Sequence, residues 1–150
     1  MIQLQPATLA DMPEFVAMEH ATDTRDFVMP YSSATHQQNL PDPNLVYLKI
    51  VEDAACAGFL ILALDGDGKS VEFRRIVIAA KGRGVGQAAM AHMEIFCREH
   101  LGRQRIWVDV FEHNLRGRHI YEKIGYQKYG DVAHDRGQLW LYEKHLANLA

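Results

Sequence analysis

Apolar positions along this chain alternate in places at two-residue spacing and in places at helical spacing, and the switches mark its elements. Ile2 and Leu4 of MIQLQPAT stand on one side of a short run, the period-two pattern of a strand. Thr8 and Asp11 are then spaced for a capping arrangement. It opens a helix expected to reach about His20, with Leu9, Met12, Val16 and Ala17 on one side. Periodicity fails in TDTRDFVMPYSSATHQQNLPDP, which mixes turn formers and aromatics around a short helix predicted near Thr35 to Leu40. Connections of this kind carry variable binding surfaces on a rigid scaffold, so a substrate-facing region is expected there.

Three strands in succession come next. NLVYLKIVED and ACAGFLILALDG are separated by a turn around Asp53, and SVEFRRIVI follows the turn DGDGKS. Alternation holds for Val71, Glu72, Phe73 and Arg74 and breaks at Arg75, which predicts a bulge or a change of exposure. Asp65, Asp67 and Gly68 share something with a calcium loop, but no glutamate arrives at the required distance, and a tight hairpin is expected instead. Beyond a glycine-rich stretch, Val85, Ala89, Met93, Phe96 and Cys97 form a helical stripe running to about His100. RQRIWVDVF reads as a strand. Asn114 is a good N-cap for a helix ending near Gly125, and YQKYGDVA with GQLWLYEKHL reads as a closing hairpin. Consecutive strands require antiparallel pairing, so the fold class is α/β with a mixed sheet, α+β in character, in one domain over residues 1–150.

Composition narrows the class of partner. With 48% apolar and 23% charged residues among 150, the chain reads as an ordinary soluble globular domain. A net charge of -3 weighs against a nucleic-acid binder, and Arg98, Arg103, Arg105, Arg116 and Arg118 are expected to be a solvated surface. Cys56 and Cys97 sit in apolar stretches and are expected to be buried, inert thiols. No basic start leads into a long apolar run and no run approaches membrane-spanning length, so a cytoplasmic protein that binds no membrane is expected.

The chemistry begins at RRIVIAAKGRGVGQAAM. An apolar strand runs into glycines that open a helix, the arrangement that lets backbone N–H groups approach an anion, with Lys81 and Arg83 adding charge. Dinucleotides, S-adenosylmethionine and acyl-CoA all present such an anion. GVGQAA fits a dinucleotide fingerprint, and Asp109 falls 23 residues beyond Gly86, near where a ribose-binding acid would stand. Topology weighs against that owner: several strands precede the loop, and too few residues follow it for the rest of a doubly wound sheet.

A second motif, DVFEHNLRGRHIYEKIGYQKYG, is more specific. Together with KGRGVG it resembles the GNAT superfamily of N-acetyltransferases, whose [Q/R]-x-x-G-x-[G/A] loop precedes a helix carrying N-x-R-A-x-x-x-Y-E-x-x-G-[F/Y]. Asn114, Arg116, Tyr121, Glu122, Gly125 and Tyr126 match in place, and the order of elements is the family's. Lys81 stands where the family has Gln or Arg, and Gly117 where it usually has Ala. The resemblance implies a sheet of about seven strands, mostly antiparallel and splayed in the middle, with about four flanking helices. It implies acetyl-CoA as co-substrate and a primary amine as acceptor, and many members of the family form homodimers. By the same resemblance Ile76, Val77 and Ile78 offer backbone to the pantetheine arm. Lys81, Gly82, Arg83, Gly84, Val85, Gly86 and Gln87 surround the pyrophosphate, and Asn114 contacts CoA. Tyr121 is the candidate acid toward the CoA sulfur, and Glu72 the candidate base acting through water.

Other readings of the same residues stay open. Glu72 is equally a strand carboxylate paired with Arg74, Tyr121 a core aromatic beside Ile124, and Asn114 a cap alone. Asp109 and Glu112 are placed to attract a cationic amine, or to pair with a neighbouring arginine. His113 is a lesser candidate for an auxiliary base, and His113 with His119 makes a poor metal pair because they share no helix face. The favoured acceptor is a small-molecule amine. The alternatives are a protein N-terminus or lysine, a non-catalytic acyl-CoA-binding module, and a nucleotide- or S-adenosylmethionine-dependent enzyme.

Overall fold

Asp53 and Ala54 turn the chain with φ of 51° and 70°, the twist of a two-residue hairpin that matches the right-handed twist of its strands. That turn joins β2 (Leu45–Glu52) to β3 (Ala55–Leu64) in a computed structural model that describes residues 1–21, 30–79 and 84–146. The remaining strands are β1 (Ile2–Pro6), β4 (Ser70–Ile78), β5 (Arg105–Phe111), β6 (Gln127–His134) and β7 (Gly137–His145). The helices are α1 (Met12–Glu19), α2 (Ser33–Asn39), α3 (Val85–Glu99) and α4 (Leu115–Lys123). One seven-stranded sheet runs in the order β1-β2-β3-β4-β5-β7-β6. Among the described residues only β4 and β5, joined through α3, pair in parallel. The predicted mixed sheet with its succession of elements is the one observed.

Both faces of the sheet are covered, which is why β3 is buried continuously from Ala57 to Ala63 instead of alternating. One face packs Leu48, Leu60, Leu62, Val71, Phe73, Ile106 and Val108 against Val85, Ala89, Met90, Met93 and Cys97 of α3. The expected stripe on α3 is therefore its buried face, although Phe96 is only partly covered. The opposite face packs Met12 and Phe15 of α1 on Tyr47, Phe59, Ile61 and Val77, with the Phe15 and Phe59 rings stacked at 4.1 Å. Cys56 and Cys97 sit within these layers, and burial pushes their thiols up to about 11 and about 12, so neither is a nucleophile at neutral pH.

The first helix departs from the expected face. A 3-10 turn at Leu9–Asp11 precedes α1, Leu9 is 61% exposed, and the inward positions are Met12, Phe15 and Glu19. Glu19 can face inward because charge meets it there. Its carboxylate contacts the Arg75 guanidinium, and its Oε1 lies 2.5 Å from His36 Nε2. His36 Nδ1 is 2.8 Å from the Tyr47 hydroxyl, which also accepts a hydrogen bond from Asn39 at 3.2 Å. Arg75 stacks on the Tyr31 ring at 3.8 Å. This buried network fastens α1 and α2 to β2 and β4, and a buried charge of this kind is tolerated because every member is paired.

Two turns follow their sequences closely. Asp67 accepts hydrogen bonds from the Lys69 and Ser70 amides and the Ser70 hydroxyl, each at 2.8 Å, so DGDGKS is a hairpin closed by its own carboxylate. Several of the clustered arginines are structural. Arg103 donates to the Asp65 and Ser70 carbonyls, Arg105 pairs with Glu143 at 2.6 Å, and Arg118 stacks on Trp140 at 3.7 Å. No helix among the described residues is long and apolar enough to cross a membrane.

Candidate active site

The site is an opening in the sheet. β4 pairs with β3 along its length, from Leu64↔Val71 to Gly58↔Ile78, but with β5 only at Ser70↔Arg105, Val71↔Ile106 and Glu72↔Trp107. Beyond Glu72 the two strands part, and the edge of β4 from Phe73 to Ile78 has no strand partner among the described residues. Arg74 is the extra residue of a bulge, since Ile61 pairs with Arg75 and Leu62 with Phe73. The break in alternation predicted there is real, and a bulge re-aims the side chains beside it. Ile76, Val77 and Ile78 lie on this unpaired edge. Ile76 and Ile78 pack toward the α3 layer and Val77 toward the α1 layer.

At the far end of that edge α3 begins. Gly84, at φ 76°, is its N-cap in a left-handed conformation that suits glycine. A side chain at Gly86 would meet Ile78 Cγ1 at 3.6 Å, so the first turn of α3 sits directly on the end of β4. The amides of Val85, Gly86 and Gln87 belong to the first turn of α3, whose leading N–H groups have no partner within the helix, so the positive end of its dipole faces the opening. Lys81, Gly82 and Arg83 lie outside the described residues.

The second motif makes α4 and its exact end. Asn114 Oδ1 accepts from the Gly117 amide at 2.9 Å, capping the first turn. A Cβ at position 117 would lie 2.7 Å from Asn114 Nδ2, so glycine gives the cap room to fold over the helix. At the other end Gly125 takes φ 102°, its amide bonds the Glu122 carbonyl, and the Tyr126 amide bonds the Tyr121 carbonyl at 2.9 Å. These are the two bonds of a Schellman cap, and the Tyr121 and Tyr126 rings supply its apolar contact at 5.5 Å. Tyr126 then anchors the helix end to Glu94 of α3 at 3.0 Å. The spacing Y-E-x-x-G-Y is thus a helix stop that fixes where Tyr121 points. Tyr121 is also enclosed by Phe73 and Tyr142, with Phe73 met edge-on at 6.4 Å. Burial, and after it the charge of Asp109, raise its pKa, so the phenol keeps its proton.

The opposite face carries the acids. Val71, Phe73, Ile106 and Val108 point toward α3, so alternation turns Glu72, Trp107 and Asp109 the other way. Glu72 Oε1 accepts from Arg74 Nη2 at 2.8 Å and Nε at 3.2 Å, the pairing anticipated as one of its two readings. Asp109 is exposed, two residues beyond Trp107, the last β5 residue paired with β4. Desolvation, and then the Glu72 charge, raise its pKa against the opposing pull of Arg74 and His134. His113 stacks on Phe111 at 5.1 Å, and among the described residues no three metal-ligating side chains converge. The sequence reading passed over the Glu19–His36–Arg75 network. Glu19 shares the spacing of Met12 and Phe15, and that periodicity was its available signal.

A splayed parallel pair, a helix N-terminus at its mouth and a capped tyrosine helix beside it match one family over most of the chain: the acetyltransferase (GNAT) family model covers residues 12–126. The chain belongs to the GNAT acetyltransferase family. It is an acetyl-CoA-dependent N-acetyltransferase. No curated protein matches it by sequence. Among solved structures, the ribosomal-protein-S18-alanine N-acetyltransferase of Escherichia coli is similar, with a TM-score of 0.79 at 16% identity. That match covers 100% of this chain and 97% of the other. The spermidine N-acetyltransferase of Vibrio cholerae, in complex with CoA and spermine, gives a TM-score of 0.84 at 15% identity over 97% of this chain and 95% of that one. The aminoglycoside acetyltransferase AAC(6')-Ib in complex with coenzyme A gives 0.80 at 16%, over 97% and 95%. At these identities the likeness is one of fold.

Proposed function

We propose that this GNAT protein acetylates the primary amine of a small molecule, by direct attack of the amine on the thioester. The observation that carries the reading is the parting of β4 from β5 after the Glu72↔Trp107 pair. It opens the sheet between a face holding the α3 N-terminus with Tyr121 and a face holding Glu72 with Asp109. An acyl donor can therefore lie on one side and the amine approach from the other.

Acetyl-CoA supplies an activated acetyl group when bound. The unpaired edge at Ile76, Val77 and Ile78 offers N–H and C=O groups to its pantetheine arm, as a strand edge does to an added strand. The amides of Gly84, Val85, Gly86 and Gln87 hold the pyrophosphate at the positive end of α3, following Lys81, Gly82 and Arg83. Asn114 caps α4 and lies on the same side of it as Tyr121, about 10 Å away along the axis, so the two bracket the donor. Tyr121 keeps its proton and gives it to the departing sulfur. Glu72 orients the amine and draws off its proton through water. A small-molecule acceptor is favoured because similar folds act on spermidine and aminoglycosides, as well as on a ribosomal protein.

Thiol release from acetyl-CoA, measured across a panel of polyamines, aminoglycosides, amino acids and alanine-terminated peptides, tests the reading. Turnover is expected with a small amine, and Tyr121→Phe is expected to lower kcat by roughly 10²-fold or more without loss of acetyl-CoA binding. Undiminished turnover in that variant would remove Tyr121 from its role. Turnover of peptides alone would replace the small-molecule acceptor with a protein.

A further inference from the structure

We propose that Arg75 and Glu19 are positioning residues for acetyl transfer. Their buried ion pair holds the β4 bulge that aims Glu72 and Arg74 at the acceptor and Ile76, Val77 and Ile78 at the acyl donor. This rests on the acetyl-transfer reading above and assigns the geometry of that site to a contact outside it.

The side chains of β4 change sides at the bulge. Before it, Val71 and Phe73 pack toward α3 and Glu72 faces the other way. In an unbroken strand Arg75 would follow Val71 and Phe73 into the α3 layer, and Ile76 and Ile78 would turn to the α1 side. The extra residue, Arg74, reverses this. Arg75 meets Glu19 of α1, Val77 joins the α1 layer, and Ile76 and Ile78 join the α3 layer. Two successive arginines thus engage carboxylates on one side, Arg74 on Glu72 and Arg75 on Glu19.

Arg75 makes the unbulged register costly. On the α3 side its guanidinium would enter a layer built from Leu60, Leu62, Val85 and Met93, and a charge buried among such side chains is strongly disfavoured. On the α1 side it finds Glu19, wholly buried itself and already oriented from behind. Asn39 donates to the Tyr47 hydroxyl at 3.2 Å, that hydroxyl lies 2.8 Å from His36 Nδ1, and His36 Nε2 lies 2.5 Å from Glu19 Oε1. With Tyr47 donating to Nδ1 and Nε2–H donating to Oε1, the hydroxyl and the imidazole each donate once and accept once. Glu19 Oε2 is left for Arg75. The Tyr31 amide donates to Oε1 at 3.4 Å, and the Tyr31 ring stacks on the guanidinium. A buried ionic group satisfied in one register selects that register.

The test removes both charges together, because removing one leaves the other buried without its partner. In Glu19→Gln/Arg75→Met the glutamine still accepts from His36 and the methionine replaces the arginine stem. In the full chain, with the best small amine from the panel above, this variant is expected to melt within about 5 °C of wild type. Its kcat should nevertheless fall roughly 10²-fold, with both KM values raised. Asn39→Ala loosens the far end of the same network without touching β4, and should lower Tm while keeping kcat within about threefold. Arg75→Lys and Arg75→Gln put the question in single substitutions. The lysine keeps the charge and should stay within about tenfold of the wild-type kcat, while the glutamine falls as far as the double variant. A double variant that keeps kcat within about threefold overturns the proposal, as do equal rates for Arg75→Lys and Arg75→Gln. A rate lost equally in Asn39→Ala also overturns it, by tying activity to stability. Each of these results leaves acetyl transfer intact. Binding of acetyl-CoA with no amine acetylated by the wild type would instead overturn the reading on which the proposal rests.

Discussion

Replacing Gly58 by alanine tests how tightly β3 holds the strand that forms one wall of the opening. An added Cβ would stand 2.2 Å from the Val77 carbonyl oxygen, 3.1 Å from Ile78 Cα and 3.2 Å from the Val77 carbonyl carbon. Ordinary contact begins near 3.4 Å, so the carbonyl must retreat by about 1 Å. All three atoms are backbone, so no rotamer change can relieve the clash, and β4 itself has to move away from β3. The Ala79 amide bond to the Ala57 carbonyl, 2.8 Å, is the next contact to stretch. Overpacking of this kind costs about 1–3 kcal/mol. For a chain of this size that lowers Tm by roughly 2–12 °C. Thermal melting by circular dichroism reads it, with Gly66→Ala as the control because nothing lies within 4 Å of a Cβ there. The KM for acetyl-CoA should rise as well, because Val77 and Ile78 carry the displaced edge. A Gly58→Ala protein melting within about 1 °C of wild type would refute the close approach of the two strands.

Three further perturbations test other parts of the fold. Glu19→Gln leaves Arg75 and His36 buried without their anion and should cost about 3–5 kcal/mol, which differential scanning calorimetry would register as a Tm drop of roughly 6–20 °C. A change below about 3 °C would mean the network adds nothing. Gly117→Ala gains roughly 0.5–1 kcal/mol of helix propensity, but its Cβ displaces the Asn114 cap, worth about 1 kcal/mol, so urea denaturation should show no net stabilisation. Asp67 is held at about 2 by its three hydrogen bonds, below its ordinary 3.8. A depressed carboxylate stabilises the fold above its unfolded pKa and loses that contribution as pH falls through the folded one. Asp67→Asn should therefore melt below wild type at pH 7, with the gap closing between about pH 4 and pH 2. A pH-independent gap would assign the effect to something other than the carboxylate.

What was legible in the sequence was local. Thr8, Asn114 and Gly125 announce helix ends because caps are satisfied within a few residues, and DGDGKS announces a hairpin because Asp67 bonds its own neighbours. The inward face of α1 is not legible from local pattern, for the complementary reason. Glu19 is polar by any local scale, and only Arg75, 56 residues away, makes its burial tolerable.

The family motif shows the same division. The chain itself determined that Tyr121, Gly125 and Tyr126 form a helix stop, because a Schellman cap needs only that spacing. Tertiary structure decided the opening, which exists because β5 shares three pairs with β4 and beyond them stays paired with β7. It also decided what surrounds each of the two strand carboxylates. Glu72 and Asp109 are both strand acids by pattern, and they differ because Arg74 bonds one while desolvation and the Glu72 charge raise the pKa of the other. Capping and periodicity act over a few residues of one chain segment, whereas register, desolvation and charge pairing are set by segments that meet only once the sheet has formed.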